Sequence, residues 1–471
     1  MRSVPIDFVR ASEAALADPV LHASVRRAMV RFRDLQRAVI EEVPDWQALR
    51  EHAHRVKMHT LAHLDRYLEQ LDERVTAAGG RVHWARDAGE AQRIIADLVR
   101  ARGGRAVVKS KSMTSEEIEL NTALQAAGCQ VVETDLGEYL VQLAGDRPAH
   151  LIAPAIHRST EEIARLLADR LGVPVHDDPA ELTRTVRRVL RRTFLSADVG
   201  ITGVNFAVAE TGTLVIVENE GNARLTTTLP RMHIALMGVE KVIPRLADLA
   251  VFLTLLPRAA TGQRLSSYVS WITGPRRPGE GDGPEELHLV ILDNGRSGIA
   301  ADPVMAEALA CIRCGACLDV CPVFERTAGH AYGSVYSGPI GAVITPLLRG
   351  LDAAAQLPFA SSLCGACGEI CPVRIDLPRL LLELRARVVS RGWSGPMERM
   401  FVRGWTAVMA RASRLRVAGR MARWALRALQ GRRVLPYPLS AWVRYRDLPA
   451  PPADAFRDRW QKIRSSGGAQ P

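Results

Sequence analysis

Apolar residues near the start of the chain recur at helical spacing. They fall three or four positions apart among many charged residues: Val25, Met29, Phe32, Leu35 and Val39. Such spacing is typical of amphipathic helices. The pattern predicts a helical N-terminal region over residues 1–78.

From Gly79 the pattern changes to short β-rich runs that alternate with helix-like segments. The runs span residues 106–109, 131–133, 150–153 and 213–217. This alternation predicts an α/β domain over residues 79–300. We expect it to end after the loop 274–284 and the strand-like run 288–292.

Length and hydropathy limit the class of protein. The 471 residues, 47% of them hydrophobic, exceed the usual size of one domain, so two or three folding units are expected. The longest apolar stretch, 246–257, contains Asp248 and is shorter than the roughly 20 residues of a spanning helix. The N-terminus mixes charges and lacks a signal-peptide pattern. We expect a cytoplasmic protein.

The chain is basic, with a formal net charge of +11. Its 62 lysines and arginines are spread along the sequence with little aromatic interleaving. A nucleic-acid surface would concentrate them. We therefore predict no nucleic-acid partner.

Seven of the eight cysteines fall within about sixty residues and form two groups. The first is Cys311-x2-Cys314-x2-Cys317-x3-Cys321-Pro322, the spacing of two-cluster ferredoxins. The second is Cys364-x2-Cys367-x3-Cys371-Pro372, with Ser361 in the place of a first cysteine. The pattern predicts an appended iron–sulfur module over residues 301–390.

Crossed ligation, as in two-cluster ferredoxins, assigns the cysteines to two clusters. The first [4Fe–4S] cluster takes Cys311, Cys314, Cys317 and Cys371. The second takes Cys321, Cys364 and Cys367, so one position lacks a cysteine. The second cluster is either a three-iron [3Fe–4S] form or a labile [4Fe–4S] form completed by Ser361, water or a partner. Structural zinc is the alternative for both groups.

The surroundings of the cysteines favour a helical ferredoxin. Residues 340–351 are helix-forming, and strand signals are few between the two groups. The loop 329–334 could supply hydrogen bonds to cluster sulfurs. Cys129 stands apart and is interpreted as structural.

Several stretches resemble the lactate utilization protein B family over nearly the whole chain. They are Val-Lys-Ser-Lys-Ser-Met-Thr at 108–114, Asp-Leu-Gly-Glu-Tyr at 135–139, Ile-Thr-Gly-Val-Asn-Phe at 201–206, Ala-Glu-Thr-Gly-Thr at 209–213, Thr-Leu-Pro-Arg at 228–231 and both cysteine groups. The resemblance implies a lactate-utilization domain similar to sugar-phosphate isomerases and CoA-transferases, then a helical ferredoxin module. It implies the same cluster assignment, including the serine in the second group.

The resemblance also implies a function. The chain would be the iron–sulfur, non-catalytic subunit of an NAD-independent L-lactate dehydrogenase complex that oxidises L-lactate to pyruvate and allows growth on lactate. Its partners would be a cysteine-rich oxidoreductase subunit and a second lactate-utilization-domain subunit. One alternative is an enzyme whose α/β domain itself converts a 2-hydroxy acid or thioester. Another is a scaffold with redox-inert clusters.

Polar residues within or beside apolar runs of the α/β domain are candidates for a pocket that binds an anion. They are Lys109, Lys111, Glu138, Glu210, Thr211, Asn219, Glu220, Arg224 and Arg231. No catalytic residue is assigned, because no nucleophile–base pair can be inferred from spacing. We interpret His157, His233 and His288 as structural.

The last predicted region, 391–471, is basic and helical. Over residues 413–429, apolar positions line one helical face and arginines flank it. This face could dock on a partner or make peripheral membrane contact. The proline-rich stretch from Pro436 and residues 465–471 are predicted to be disordered.

Overall fold

The computed structural model describes residues 5–176, 178–393, 395–429, 440, 443 and 450–465. Described residues up to Val388 form one compact unit, and those from Val389 form a second. The predicted N-terminal, α/β and cysteine-rich regions all lie in the first unit. The predicted boundaries between these three regions stay predictions.

Four helices precede the first strand, in the region where apolar spacing predicts helices. They are α1 (Phe8–Leu16), α2 (Pro19–Glu41), α3 (Trp46–Ala62) and α4 (Leu64–Ala77). Asp7 and Asp18 begin α1 and α2 by accepting hydrogen bonds from backbone N–H groups. Val25 and Met29 are fully buried, whereas Leu35 is exposed and Gln36 is buried beside it.

Ten strands form two sheets. They are β1 (Arg81–Ala85), β2 (Ala106–Lys109), β3 (Gln130–Glu133), β4 (Val199–Gly203), β5 (Phe206–Val208), β6 (Thr213–Glu218), β7 (Met232–Gly238), β8 (Val242–Ile243), β9 (Tyr268–Ile272) and β10 (Glu286–Leu292). The larger sheet has the order β1-β10-β7-β4-β2-β3, and all its neighbouring strands are parallel. The smaller sheet has the order β8-β5-β6-β9.

Nine helices surround these strands in the described chain between β1 and the cysteines. They are α5 (Ala88–Ala101), α6 (Met113–Glu117), α7 (Leu120–Ala126), α8 (Leu136–Ala144), α9 (Thr160–Leu171), α10 (Pro179–Leu195), α11 (Asn222–Thr228), α12 (Leu246–Thr261) and α13 (Arg296–Ala300). Because helices cover the parallel sheet, its central strands are mostly apolar, and every residue of β7 is buried. The predicted α/β fold is confirmed.

The predicted strand at 150–153 is wrong, because these residues form an irregular loop. The apolar residues of the loop are buried by tertiary packing instead of by strand pairing. Leu151 joins the core that includes the cysteine module, and Ile152 lies against Gly315 of the first cysteine loop.

The cysteine region is helical, as predicted. Its helices are α14 (Ala316–Asp319), α15 (Pro322–Thr327), α16 (Gly338–Arg349), α17 (Leu351–Ala354), α18 (Ala366–Ile370) and α19 (Leu377–Ser390). No strand falls in residues 301–390, all of which the structure describes. These helices share one hydrophobic core with the N-terminal helices and α12, so the module is built into the first unit.

The second unit contains three described helices. They are α20 (Pro396–Met409), α21 (Ala412–Leu429) and α22 (Phe456–Ser465). The helix predicted at 413–429 is therefore confirmed. Residues 430–439 and 466–471, which include much of the stretch predicted to be disordered, lie outside the described residues. Among the described helices, none is long and apolar enough to cross a membrane.

Candidate metal centre

The two cysteine groups lie on loops with the same backbone geometry. In the first, Arg313 has φ 62° and Gly315 has φ 81°; in the second, Leu363 has φ 55° and Gly365 has φ 90°. Each loop then continues into a short helix, α14 or α18. The second loop is therefore a structural copy of the first.

Backbone N–H groups point at three of the cysteine sulfurs. The N–H of Arg313 donates to Cys311 Sγ (3.4 Å). Those of Phe324 and Ile375 donate to Cys321 Sγ (3.5 Å) and Cys371 Sγ (3.4 Å). Hydrogen bonds to ligand sulfurs are one of the ways in which a protein tunes an iron–sulfur cluster.

Ser361 repeats the hydrogen bond made by Cys311. Its Oγ accepts from the N–H of Leu363 (3.1 Å), as Cys311 Sγ accepts from Arg313 two residues along. The serine hydroxyl therefore lies in the position of a first cysteine, as the sequence alignment of the two groups suggests.

The structure brings the thiols of the first group close to the last cysteine of the second group. Burial raises the pKa of Cys314 well above its usual value, and the neighbouring Cys371 and Cys311 raise it further. Burial also raises the pKa of Cys371 to about 11, with Cys311 close by. The pKa of Cys317 is likewise raised by burial, and then by the neighbouring Cys314 and Cys311.

The remaining three cysteines form a second set. Burial raises the pKa of Cys367 to about 12, and the thiols of Cys321 and Cys364 add to the effect. Cys321 in turn interacts with Cys364, which is the exposed member. This grouping is compatible with crossed ligation, although the ligand assignment itself stays a prediction.

These residues fit iron–sulfur clusters. Buried neighbouring thiols resist ionisation, whereas a metal needs thiolates and compensates their charge. Neighbouring cysteines supply the ligands that a cluster requires, and N–H donors to their sulfurs can tune it.

Helix α3, in the N-terminal region of the sequence, makes hydrogen bonds to the second cysteine loop. Arg50 Nε donates to the carbonyl of Cys371 (2.8 Å), and its Nη2 donates to that of Glu369 (2.6 Å). His54 Nδ1 hydrogen-bonds the carbonyl of Val373 (2.8 Å). Sequence reasoning missed this role. The available signal was the helical spacing of Arg50, His54 and Lys57, three polar residues on one face.

A buried ionic network joins the first cysteine loop to the α/β domain. Arg296 is fully buried and pairs with Glu117 (2.6 Å) and Glu240 (2.8 Å). Tyr336 donates its hydroxyl proton to Glu117 (2.6 Å), and Arg313 pairs with Glu240 (3.3 Å). Neighbouring arginines hold the pKa of Glu240 at about 2 despite its burial.

The predicted role of loop 329–334 is changed by the structure. His330 Nε2 hydrogen-bonds the carbonyl of Arg147 (2.7 Å), so the loop is attached to the α/β domain. In this fully described loop, no hydrogen bond to a cysteine sulfur is formed. One residue of the loop, Tyr332, does lie beside a cysteine. Its buried hydroxyl is near Cys321, with Thr327 close by, and has no partner in regular hydrogen-bonding geometry.

Three of the residues proposed for an anion pocket, Lys111, Asn219 and Glu220, do line a cavity of about 210 Å³. Lys109 and Glu138 lie outside its lining and belong to a buried cluster. There Lys109 Nζ pairs with Glu133 (2.7 Å) and burial raises the pKa of Glu138.

The other four candidates do not line the cavity. Glu210 accepts a hydrogen bond from the N–H of Leu246 at the start of α12 (2.8 Å), and Thr211 donates to Thr213 (2.8 Å). Arg231 pairs with Glu285 (2.7 Å). Arg224 lies in the first turn of α11, where its backbone N–H donates to the Glu218 carboxylate (2.7 Å).

The three histidines and the isolated cysteine have structural surroundings. His233 Nε2 hydrogen-bonds the Thr202 hydroxyl (2.8 Å). His288 Nδ1 hydrogen-bonds His83 Nε2 (3.0 Å). His157 pairs with Asp146 (2.9 Å). Cys129 packs at the edge of a sheet core.

Family models match three consecutive parts of the chain. A LUD domain matches residues 68–292, a 4Fe-4S dicluster domain matches 307–375, and the C-terminal region of lactate utilisation protein B matches 390–464. The second match favours iron–sulfur clusters over zinc. Fold and site thus define a LUD-domain protein with a helical module for 4Fe-4S clusters.

Curated relatives align over almost the full length. Lactate utilization protein B from Shouchella clausii is 45% identical over 98% of both chains. The protein of that name from Bacillus licheniformis is 44% identical over 96% of both. An "uncharacterized electron transport protein" of Escherichia coli is 43% identical over 97% of this chain and 96% of its own. The chain belongs to the lactate utilization protein B family.

Proposed function

We propose that this chain is the electron-relay subunit of a system that oxidises L-lactate to pyruvate. The observation that carries the proposal is the pairing of two cysteine loops of equal geometry whose thiols interact across the groups. The substrate, lactate, and the role in electron transport are taken from the names of the relatives. When bound, two iron–sulfur clusters would accept and release electrons singly, at potentials within roughly −700 to +450 mV.

The proposed ligands follow crossed ligation. Cys311, Cys314, Cys317 and Cys371 hold the first [4Fe–4S] cluster. The second is held by Cys321, Cys364 and Cys367. The exposure of Cys364 supports a labile second cluster, as either [4Fe–4S] or [3Fe–4S].

Iron and sulfide analysis with electron paramagnetic resonance of the anaerobic protein tests the relay. We expect roughly seven or eight irons and two interacting reducible centres. Cys367→Ser should lose or alter one centre and keep the other. Cys129→Ser is the matched control and should leave both unchanged. Zinc without a reducible signal, even after anaerobic reconstitution, would leave only a scaffold.

The Ser361→Ala variant addresses the fourth position of the second cluster. If Ser361 Oγ is a ligand, its loss should convert an eight-iron protein into one with about seven irons and a three-iron signal. If iron content and spectra stay unchanged, the fourth ligand is water or a partner, or the fourth iron is absent.

We also propose the two partners implied by the resemblance, a cysteine-rich oxidoreductase subunit and a second LUD-domain subunit. Lactate-dependent reduction of the centres should need the oxidoreductase subunit.

The exposed apolar and basic side chains of α21, such as Met421, Trp424 and Arg420, support docking or peripheral membrane contact. Co-purification, and sedimentation with anionic vesicles, distinguish these two roles.

A second candidate function is an enzyme whose α/β domain converts a bound acid. The cavity beside the first cysteine loop favours it. Lactate turnover by the purified chain alone, with an artificial electron acceptor, would support this alternative against the relay.

A further inference from the structure

The cavity of about 210 Å³ lies where open parallel sheets bind ligands. Four of its lining residues directly follow β2 or β4, and a fifth lies in the β7–β8 connection: Ser110, Lys111, Val204, Asn205 and Lys241. These are the carboxyl ends of neighbouring parallel strands, the edge at which ligands bind in open α/β sheets. Two further lining residues, Arg313 and Tyr336, come from the cysteine module. The cavity therefore lies between the sheet and the first cysteine loop.

Three cationic side chains line this cavity. Arg313 is more than nine-tenths buried, and its Nη1 has no hydrogen-bond partner in the described protein. Its guanidinium stacks on the Tyr336 ring, 4.7 Å from the centroid, which fixes its direction. Lys241 is buried too and forms no hydrogen bond or ion pair with any described residue. Lys111 donates only to the carbonyl of Ile152. Buried donors without acceptors are costly, so Arg313 Nη1 and Lys241 are poised for a ligand, whereas Lys111 would add its charge from the Ile152 carbonyl that it already binds.

The acidic residues of the lining are already engaged by the backbone. Glu218 accepts from the N–H groups of Ala223 and Arg224, both at 2.7 Å. Asp135 accepts from the N–H of Glu138 (3.1 Å), and Glu220 from that of Asn219 (3.0 Å). Backbone N–H groups at helix starts and turns offset part of the charge of such carboxylates, although burial still raises the pKa of Glu218. Among the charged groups of the lining, Arg313 Nη1 and Lys241 are therefore the ones without a hydrogen-bond partner in the described protein.

Size and wall chemistry define the class of ligand. The volume of about 210 Å³ lies below the roughly 300–1,000 Å³ of sites for drug-sized ligands, so it suits a small metabolite. Leu151, Val204 and Leu256 supply apolar wall, whereas the side chains of Asn205 and Asn219 supply amides. An inorganic anion would leave the apolar wall without a partner.

We propose that this cavity binds a small organic carboxylate, held by Arg313, Lys241 and Lys111. The guanidinium of Arg313 would pair with the carboxylate, because a planar fork matches it geometrically. The site is independent of the electron relay: it stands or falls by binding, whether or not the clusters exchange electrons with a lactate-oxidising partner.

Anaerobic isothermal titration of the full-length, cluster-loaded protein tests the proposal. The probes are pyruvate and L-lactate, with inorganic phosphate as the alternative anion. We expect saturable one-site binding of at least one carboxylate, weakened about tenfold or more by Lys241→Gln, since a charge-assisted hydrogen bond is lost. Lys111→Gln, further from the cysteines in sequence, provides a second variant. Arg231→Gln, at the opposite end of β7, is the matched control and should bind like the parent.

Three results would overturn the proposal. They are an absence of saturable binding to either carboxylate, phosphate binding as tight as or tighter than both, and carboxylate binding that neither lysine substitution weakens. Iron content and circular dichroism establish that each variant is folded and loaded, so weaker binding by a variant that retains both supports the site.

Discussion

At the scale of single residues, the Tyr332 hydroxyl is a buried polar group without a regular hydrogen bond. It is fully buried, close to Cys321, Cys317, Cys367 and the Thr327 hydroxyl, and it makes no hydrogen bond of regular geometry with a described residue. Burial, then these thiols, raise its pKa well above the ordinary value, so the hydroxyl keeps its proton. It is thus available to donate to a sulfur of the proposed second cluster.

The Tyr332→Phe substitution should lower the potential of the second centre. A hydrogen bond to sulfur stabilises the reduced, more negative form. Its net worth of roughly 0.5–1.5 kcal/mol corresponds to about 20–60 mV for one electron. Redox titration monitored by electron paramagnetic resonance measures the shift. Tyr336→Phe is the control, because that hydroxyl donates to Glu117; an unchanged potential in Tyr332→Phe would contradict the role.

At the scale of elements, α3 acts as a brace for the second cysteine loop. Arg50→Ala should leave carbonyls of residues 368–371 without their donor and cost roughly 2–3 kcal/mol. We expect earlier thermal unfolding and faster loss of iron to a chelator. Arg55→Ala, exposed on the same helix, should behave like the parent. Equal iron loss in both variants would show that α3 does not support the loop.

The central sheet contains a histidine that should make stability depend on pH. Burial, then His288, lowers the pKa of His233 from 6.5 to about 3. Because the unfolded chain takes up a proton below pH 6.5 and the folded one does not, stability falls as pH falls from 6.5 towards 3. Between pH 7 and 5.5 the loss is about 1 kcal/mol. His233→Gln should lose less stability over this range in anaerobic thermal unfolding; an equal loss would assign the effect to other groups.

Elements with a strong local pattern were predictable from sequence. The strands β2 and β10 form apolar runs because helices cover both faces of the sheet, and α21 shows plain helical spacing. The run at 150–153 has the same composition as a strand, yet it packs on the cysteine module, a contact that local pattern cannot indicate. The cysteine spacing predicted the site; the brace by Arg50 could not be predicted, since that residue lies 321 positions from Cys371.

At the scale of the whole molecule, one ionic network joins the α/β domain to the cysteine module. Arg296 pairs with both Glu117 and Glu240, and these carboxylates also bind Tyr336 and Arg313 of the module. The cavity at this junction could not be predicted as a set, because its residues come from distant segments. Lys241 and Arg313 were missed for that reason.

Arg296→Met should destabilise the first unit as a whole. Removing Arg296 leaves the buried Glu117 without a cationic partner and Glu240 with Arg313 alone, at a cost of about 3–5 kcal/mol. Calorimetry should show a markedly lower unfolding temperature and weaker retention of the first centre. Arg264→Gln, which breaks an exposed pair with Glu42, should change stability by about 1 kcal/mol or less. Similar values for the two variants would show that the network is dispensable.

The exposure of Cys364 has a consequence for damage by air. Six cysteines of the two loops are buried or half-buried, whereas this one meets solvent, and Ser361 replaces a sulfur beside it. On the proposed ligand assignment, oxidants in solution would therefore reach the second cluster before the first. Aerobic handling would then yield a protein that looks folded and brown yet keeps only the inner of the two proposed clusters.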